Sequence, residues 1–155
     1  MVNPGKPVRR VQYPGPFDTG HAWAYLPDLG ETCGRLIERE VQLADFDVYH
    51  FRGHYVERGV EIAEAVCDVI GIARSRAGKF PWWSVTLASP FVNVFRELRE
   101  MRYLWQERAE LDNRKLVAAI GTEPHTALHI ALRRMLEGLG CLPAPATTVA
   151  PSAIA

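Results

Sequence analysis

The sequence of 155 residues has no excess charge, few cysteines and no long apolar run, and each absence excludes a class of protein. Lys and Arg together number 18, as do Asp and Glu, so charge does not favour nucleic acid or an anionic membrane as a partner. The cysteines Cys33, Cys67 and Cys141 have none of the paired spacings of a structural zinc site or a thioredoxin-like motif. The aromatic-rich uncharged run at residues 81–95 is too short to cross a bilayer.

The N-terminal ten residues also lack the apolar core of a secretory signal. Together with the odd cysteine count, this predicts a reducing, cytoplasmic location. The length suits one domain with a genuine core, so we expect a single domain with no membrane and no nucleic-acid partner.

Periodicity predicts a mixed α/β chain. Strands are expected at residues 8–13, before the turn Pro14-Gly15-Pro16, and at Phe46–Phe51, where the uninterrupted apolar pattern favours a strand covered on both faces. A helix is expected from Pro27 to about Glu40, with Leu29, Cys33, Leu36 and Ile37 on one face, and another over residues 60–70, ended by Gly71.

The second half of the chain is predicted to be helical. Aromatic-rich helices are expected over residues 81–90 and 91–105, followed by a short helix capped by Asp112 and a last helix capped by Thr126 and ended by Gly140. Core packing is the expected role of their aromatic side chains, and ligand lining is the alternative. Residues 143–155 lack charge and are predicted to be a disordered tail.

His21, Trp23 and Tyr25 occupy alternate positions just before the first predicted helix. In an extended segment their side chains would face the same way and could form one wall of a pocket, with ring faces for stacking and polar atoms for hydrogen bonds. We take these three as candidate substrate-binding residues, with a packed aromatic cluster as the alternative.

Two histidine pairs have the four-residue spacing found in helical metal sites: His50 with His54, and His125 with His129. The first pair straddles Gly53, and the second straddles the predicted helix start at Thr126. Neither pair is therefore expected to share a helical face. We predict structural histidines and no metal site.

Seven short motifs occur in an order and spacing that resemble the C-terminal half of extended or atypical short-chain dehydrogenase/reductases, the NAD-dependent epimerase/dehydratase-like proteins. They are Tyr13-Pro-Gly-Pro16, His21-Ala-Trp-Ala-Tyr-Leu-Pro-Asp28, Phe46-Asp-Val-Tyr-His-Phe51, Phe80-Pro-Trp-Trp83, Glu100-Met-Arg-Tyr-Leu-Trp105, Leu111-Asp-Asn113 and Glu123-Pro-His-Thr126. The resemblance covers nearly all of residues 8–142.

The resemblance implies a partial Rossmann-type unit, with residues 46–51 as its last strand, plus a small, mostly helical substrate lobe, together spanning residues 1–142. In such enzymes the other half carries a glycine-rich turn for the dinucleotide and a Tyr and Lys four residues apart. This chain departs from that pattern. Its glycines never take the required spacing, and none of its tyrosines is followed four places later by Lys.

The resemblance therefore predicts the substrate-binding half of an NAD(P)-dependent oxidoreductase or epimerase-like enzyme, acting on a small carbonyl or hydroxyl compound. Alone the chain is expected to bind no cofactor, to contain no catalytic residue and to be inactive, whereas NAD or NADP is implied for the family. A complementary Rossmann chain or a homo-oligomer is the expected partner, with an exposed sheet edge beside residues 46–51. The alternative is a non-catalytic binding or dimerisation module, and a metal-dependent hydrolase comes third.

Overall fold

A computed structural model describes residues 3–90 and 92–142 and has mixed α/β architecture. The predicted tail 143–155 and Phe91 lie outside the described residues. In chain order the elements are β1 (Val11–Tyr13), β2 (His21–Trp23), α1 (Leu26–Ile37), β3 (His54–Val56), α2 (Val60–Ile70), β4 (Ala77–Lys79), α3 (Trp82–Ala88), α4 (Asn93–Glu100), α5 (Arg114–Ile120) and α6 (Leu128–Gly138).

The four strands form two small sheets. β1 pairs with β4 in parallel, with Tyr13 beside Lys79, and β2 pairs with β3 antiparallel, with Trp23 opposite His54. Because α2 lies between the parallel strands along the chain and packs on both, this part is a β–α–β arrangement of the kind that parallel pairing requires.

The main core lies between the β1–β4 pair and helices α2 and α6. Its fully or nearly buried members are Val11, Tyr13, Ile62, Ala63, Val66, Cys67, Leu132, Leu136 and Cys141. Helix α2 ends as its sequence predicts. Gly71 adopts a left-handed conformation, and the N–H of Ile72 returns to the carbonyl of Cys67 at 3.0 Å.

The predicted strand Phe46–Phe51 is wrong. The segment has no strand pairing, and the Phe46 side chain is 87% exposed. Asp47 accepts the backbone N–H of Val48 and pairs with Lys115, so the local hydrogen bonds go to a side chain instead of a neighbouring strand. The strand lies beyond Gly53, at residues 54–56, and the expected sheet edge beside residues 46–51 does not exist.

Helix α1 buries two polar side chains and exposes several apolar ones. Asp28 and Thr32 are its buried side chains, whereas Leu26 and Ile37 are 74% and 68% exposed, and Cys33 is exposed as well. Arg35 donates to the carbonyl of Thr122 at 2.9 Å, so polar bonds join this helix to the loop after α5. Of the apolar face that the sequence predicts, Leu29 and Leu36 are half-buried, and Cys33 and Ile37 are exposed.

The aromatic helices form a loosely buried lobe in which α3 packs on α4, and a short 3-10 turn over Met101–Trp105 follows. Val85 and Ser89 are buried, and Trp82 is half-buried with its indole N–H donated to the carbonyl of Pro14 at 2.6 Å. The expectation of core packing is wrong for Trp83 and Tyr103, which are exposed.

Two caps differ from their predictions. The N-cap positions of α5 and α6 are Asn113 and Ala127. Asp112 still accepts the N–H of Arg114 at 3.0 Å, but the Thr126 hydroxyl is bound to Asp28 instead of capping α6.

Gly53 and Gly71 both have positive φ, but only Gly53 is crowded, because a Cβ there would overlap the carbonyl oxygen of Trp23. We expect Gly71→Ala to lower the free energy of unfolding by about 1 kcal/mol, the cost of a left-handed Ala. Gly53→Ala should cost at least about twice as much, since β2 must also move. Urea denaturation of both variants checks this, and equal losses would show that the close approach to Trp23 has no energetic consequence.

Candidate functional site

Trp23 and His54 form a cross-strand pair that is central to the candidate site. They are register partners in the β2–β3 ladder, so their side chains project from the same face of the sheet, with Cβ atoms about 5 Å apart. Both residues line one cavity of about 260 Å³. A volume slightly below the usual range of ligand pockets fits a small molecule.

The cavity wall is strongly apolar. It draws residues from strands β1, β2 and β3, the β2–α1 connection, helices α2 and α6 and the 3-10 turn: Val11, Tyr13, Pro14, Trp23, Tyr25, His54, Ile62, Ala63, Val66, Trp105, Leu128, Ala131, Leu132 and Met135 among them. No Lys, Arg, Asp or Glu occurs among the described residues that line it. Burying an unpaired ionic group against such a wall would be costly, so the cavity favours an uncharged ligand.

Trp105 joins the cavity to an aromatic cluster. Its ring centroid lies 6.3 Å from that of Tyr13, 5.8 Å from that of His21 and 5.9 Å from that of Trp23. These separations are typical of favourable aromatic pairs. The 3-10 turn is thereby held against the ends of β1 and β2, and two of the three candidate residues, His21 and Trp23, take part in an aromatic cluster.

The three candidate substrate-binding residues take different places. Trp23 and Tyr25 line the cavity, and His21 does not. The buried His21 ring places Nε2 3.1 Å from the carbonyl of Leu104 and Nδ1 3.1 Å from the hydroxyl of Tyr13. Nδ1 also lies 3.2 Å from the carbonyl of Thr19, so both ring nitrogens face oxygen atoms of the fold.

Tyr13 is held in its protonated form by the same surroundings. Burial raises the pKa of its hydroxyl above the ordinary value, so the group stays protonated at neutral pH, and its oxygen lies 3.1 Å from Nδ1 of His21. Tyr13 and His21 thus connect the parallel sheet to the antiparallel one, and their partners within the fold satisfy both polar groups.

His54 is a residue whose role sequence reasoning missed. Burial lowers its pKa below the ordinary value, and the neighbouring His125, whose ring centroid is 4.3 Å away, lowers it further. The backbone of Thr126 and the carboxylates of Asp28 and Glu123 act in the opposite direction. The ring is therefore neutral at pH 7. The sequence signal that could have found it is the alternation His54-Tyr-Val56 directly after Gly53.

Asp28 positions His125 and Thr126 beside this site. Its carboxylate accepts the backbone N–H of Thr126 at 2.7 Å and the Thr126 hydroxyl at 2.6 Å, and Asp28 itself is buried. The sequence explains Asp28 as a stabiliser of the α1 N-terminus. The structure adds a second function, because the same carboxylate joins α1 to the loop before α6.

Glu123 fixes the start of β3. One oxygen accepts the N–H of Gly53 at 2.9 Å, and the other accepts the N–H of Arg52 at 3.0 Å and the side-chain amide of Asn113 at 2.8 Å. Charge-assisted bonds of this kind are about twice as strong as neutral ones. The position of His54 is thus determined by a residue about 70 positions later in the chain.

The polar groups around Glu123 line a second, more open cavity of about 540 Å³. His54 and Leu128 line both cavities and so separate a polar space from an apolar one. Within residues 3–90 and 92–142, no group of three or more His, Cys, Asp or Glu side chains is placed to hold a metal ion. His50 is exposed, and the partner of His54 is His125 rather than the neighbour four positions away.

Comparisons of the chain with protein-family models, curated proteins and solved structures find no match. In the part of the chain that the structure describes, no helix has both the length and the apolar character of a membrane span.

We expect Asp28→Ala to reduce the free energy of unfolding by about 2–3 kcal/mol, because the Thr126 N–H and hydroxyl lose a charged acceptor in a buried place. Thr126→Val removes only the hydroxyl, and the double variant should cost less than the sum of the two single variants. Chemical denaturation of wild type, the two single variants and the double variant measures the coupling free energy between Asp28 and Thr126. Asp18→Ala, at an exposed position, is the control, and its free energy of unfolding should stay within about 0.5 kcal/mol of wild type. Strict additivity of the two single variants would contradict the described bonds.

Proposed function

We propose that this chain is the substrate-binding half of an NAD(P)-dependent oxidoreductase or epimerase-like enzyme and does not catalyse hydride transfer alone. The observation that carries the proposal is the apolar cavity of about 260 Å³ beside a parallel β–α–β arrangement. Open α/β proteins commonly bind small molecules beside such strands.

Three of the seven motifs that carry the family resemblance contribute residues to the cavity. The motif at 13–16 contributes Tyr13 and Pro14, the motif at 21–28 contributes Trp23 and Tyr25, and the motif at 100–105 contributes Trp105. The third motif is thus brought to the same cavity as the first two from about 80 positions later in the chain. This supports a common role for them in holding a substrate.

The chain's own residues do not fit a dinucleotide. A pyrophosphate is usually bound where a glycine-rich turn opens a helix, since free N–H groups point at the phosphates there. In the β–α–β arrangement that helix is α2, and the space above Gly59 at its start is filled by the ring of Tyr13. NAD or NADP would therefore have to be held by another polypeptide, and the hydride source and the acid–base pair would come with it.

The alternative function is a non-catalytic binding or dimerisation module. The exposure of Leu26 and Ile37 on α1 is the specific observation that favours it. Exposed apolar side chains grouped on one element are a common feature of interaction surfaces.

Titration of the purified chain with NADH and with NADPH, followed by cofactor fluorescence, tests the proposal. We expect no saturable binding at micromolar concentrations, because the chain has no cradle for the pyrophosphate. Tight stoichiometric binding of either dinucleotide would overturn the half-enzyme assignment.

Sedimentation velocity of the same sample separates the proposal from its alternative. A dimerisation module should form one defined oligomer through α1 without any ligand, whereas the half-enzyme requires no oligomer formed through this helix. Leu26→Glu with Ile37→Glu places charges on the exposed face of α1 and should abolish an oligomer formed through it. Glu38→Gln, an exposed change at the end of the same helix, is the control.

A further inference from the structure

A cavity of about 650 Å³ near the start of the chain is lined by cationic side chains. Lys6, Arg9 and Arg10 belong to its wall, and no Asp or Glu occurs among the described residues there. None of the three takes part in an ion pair within residues 3–90 and 92–142, and the remaining residues include no Asp or Glu. Positive charge is therefore concentrated at one concave surface without a side-chain carboxylate partner, which favours a bound anion.

Arg10 lies on the face of the parallel β1–β4 pair that points away from helix α2. Val11 and Tyr13 are buried in the core, so Gln12 between them points to the opposite face. Gly78 is the register partner of Gln12, and a Cβ on Gly78 would lie 2.8 Å from a terminal nitrogen of Arg10. The glycine is what allows the guanidinium to rest against β4.

The same cavity also has an apolar wall. Pro7, Val8 and Phe80 line it. The N–H of Phe80 is donated to the carbonyl of Tyr13 at 2.9 Å, which holds this residue beside β1. The volume lies within the usual range of small-molecule sites and is larger than an inorganic anion would fill. The wall thus suits a ligand that combines a strong anionic group with an organic part.

We propose that this cavity binds a phosphate monoester of a small organic molecule, with the phosphate held by Lys6, Arg9 and Arg10 and the organic part beside Phe80. A phosphate monoester carries a charge of about −1.5 to −2 at pH 7 and three strong acceptor oxygens. A guanidinium binds two such oxygens at once, and an ammonium adds a point charge.

The site is separate from the apolar cavity around Trp23, with which it shares only Gln12 among the described lining residues. The proposal does not rest on the half-enzyme function. Its cations are exposed, so the expected dissociation constant is about 1 mM, far above the micromolar range of the dinucleotide titration.

The test uses phenyl phosphate, inorganic phosphate and phenol as probes of the purified chain. ¹H–¹⁵N correlation spectra follow the backbone amides of residues 6–12 and the side-chain Nε–H of Arg10, which Arg10→Gln assigns. We expect phenyl phosphate to move these signals and to bind several-fold more tightly than inorganic phosphate. Phenol lacks the anionic group and should leave them unchanged. Added sodium chloride should weaken the binding of both phosphates, because the charges are screened.

Two variants test the role of Arg10. Arg10→Gln should weaken phenyl phosphate about fivefold, the upper end for one exposed ion pair. Gly78→Ala removes no charge, but its methyl group takes the space of the Arg10 guanidinium, so it should weaken binding in the same direction. Arg99→Gln, exposed and outside the cavity lining, is the control for charge. Gly30→Ala, whose Cβ meets open space, is the control for the glycine, and both controls should keep the wild-type affinity.

An equal loss in Arg99→Gln and Arg10→Gln would overturn the proposal, because net charge rather than the cavity would then attract the anion. Equal affinities for phenyl phosphate and inorganic phosphate would overturn the assignment of an organic ligand. Unchanged signals of residues 6–12 would also overturn it, as would tighter binding of oligothymidylate, which would indicate a nucleic-acid surface. If Gly78→Ala does not fold, Arg10→Gln and its control decide.

Discussion

The antiparallel register of β2 and β3 determines the geometry of the cavity. Each strand has three residues, and a slip by one residue would turn Trp23 or His54 to the opposite face of the ladder. Three constraints oppose a slip: the close approach of Gly53 to the Trp23 carbonyl, the anchoring of the Gly53 N–H by Glu123, and the bond from the Ala22 N–H to the carbonyl of Ala109 at 3.1 Å. A ladder this short is specified by its surroundings more than by its own length.

The helices were the part of the fold that the sequence predicted well, because their signals are local. Helix α2 ends at Gly71, as its apolar period and terminal glycine indicate, and the stripe of Leu132 and Leu136 in α6 is buried as expected. The strand expected at Phe46–Phe51 failed because β-propensity cannot say whether a partner strand exists. Gly53 marked the boundary correctly, but the strand lies on its other side.

Most of the candidate site depends on contacts that no local pattern encodes. Asp28 meets Thr126 across 98 positions, and Glu123 meets Gly53 across 70. The alternation of residues 21–25 did predict Trp23 and Tyr25 on the cavity wall, since period two is a property of the extended chain. It could not distinguish His21, whose two ring nitrogens find partners in Tyr13 and Leu104 only when the distant 3-10 turn is in place.

The exposure of Leu26 and Ile37 on α1 also affects how the chain opens. Denaturant slopes and heat-capacity changes scale with the apolar surface that becomes exposed. Because these two side chains are already in water, detaching this helix uncovers apolar area mainly from the half-buried Leu29 and Leu36, and it breaks the bonds of Asp28 and Arg35. Partial unfolding at α1 therefore depends less on urea, and more on its polar bonds, than the opening of α2 with its buried Val66 and Cys67.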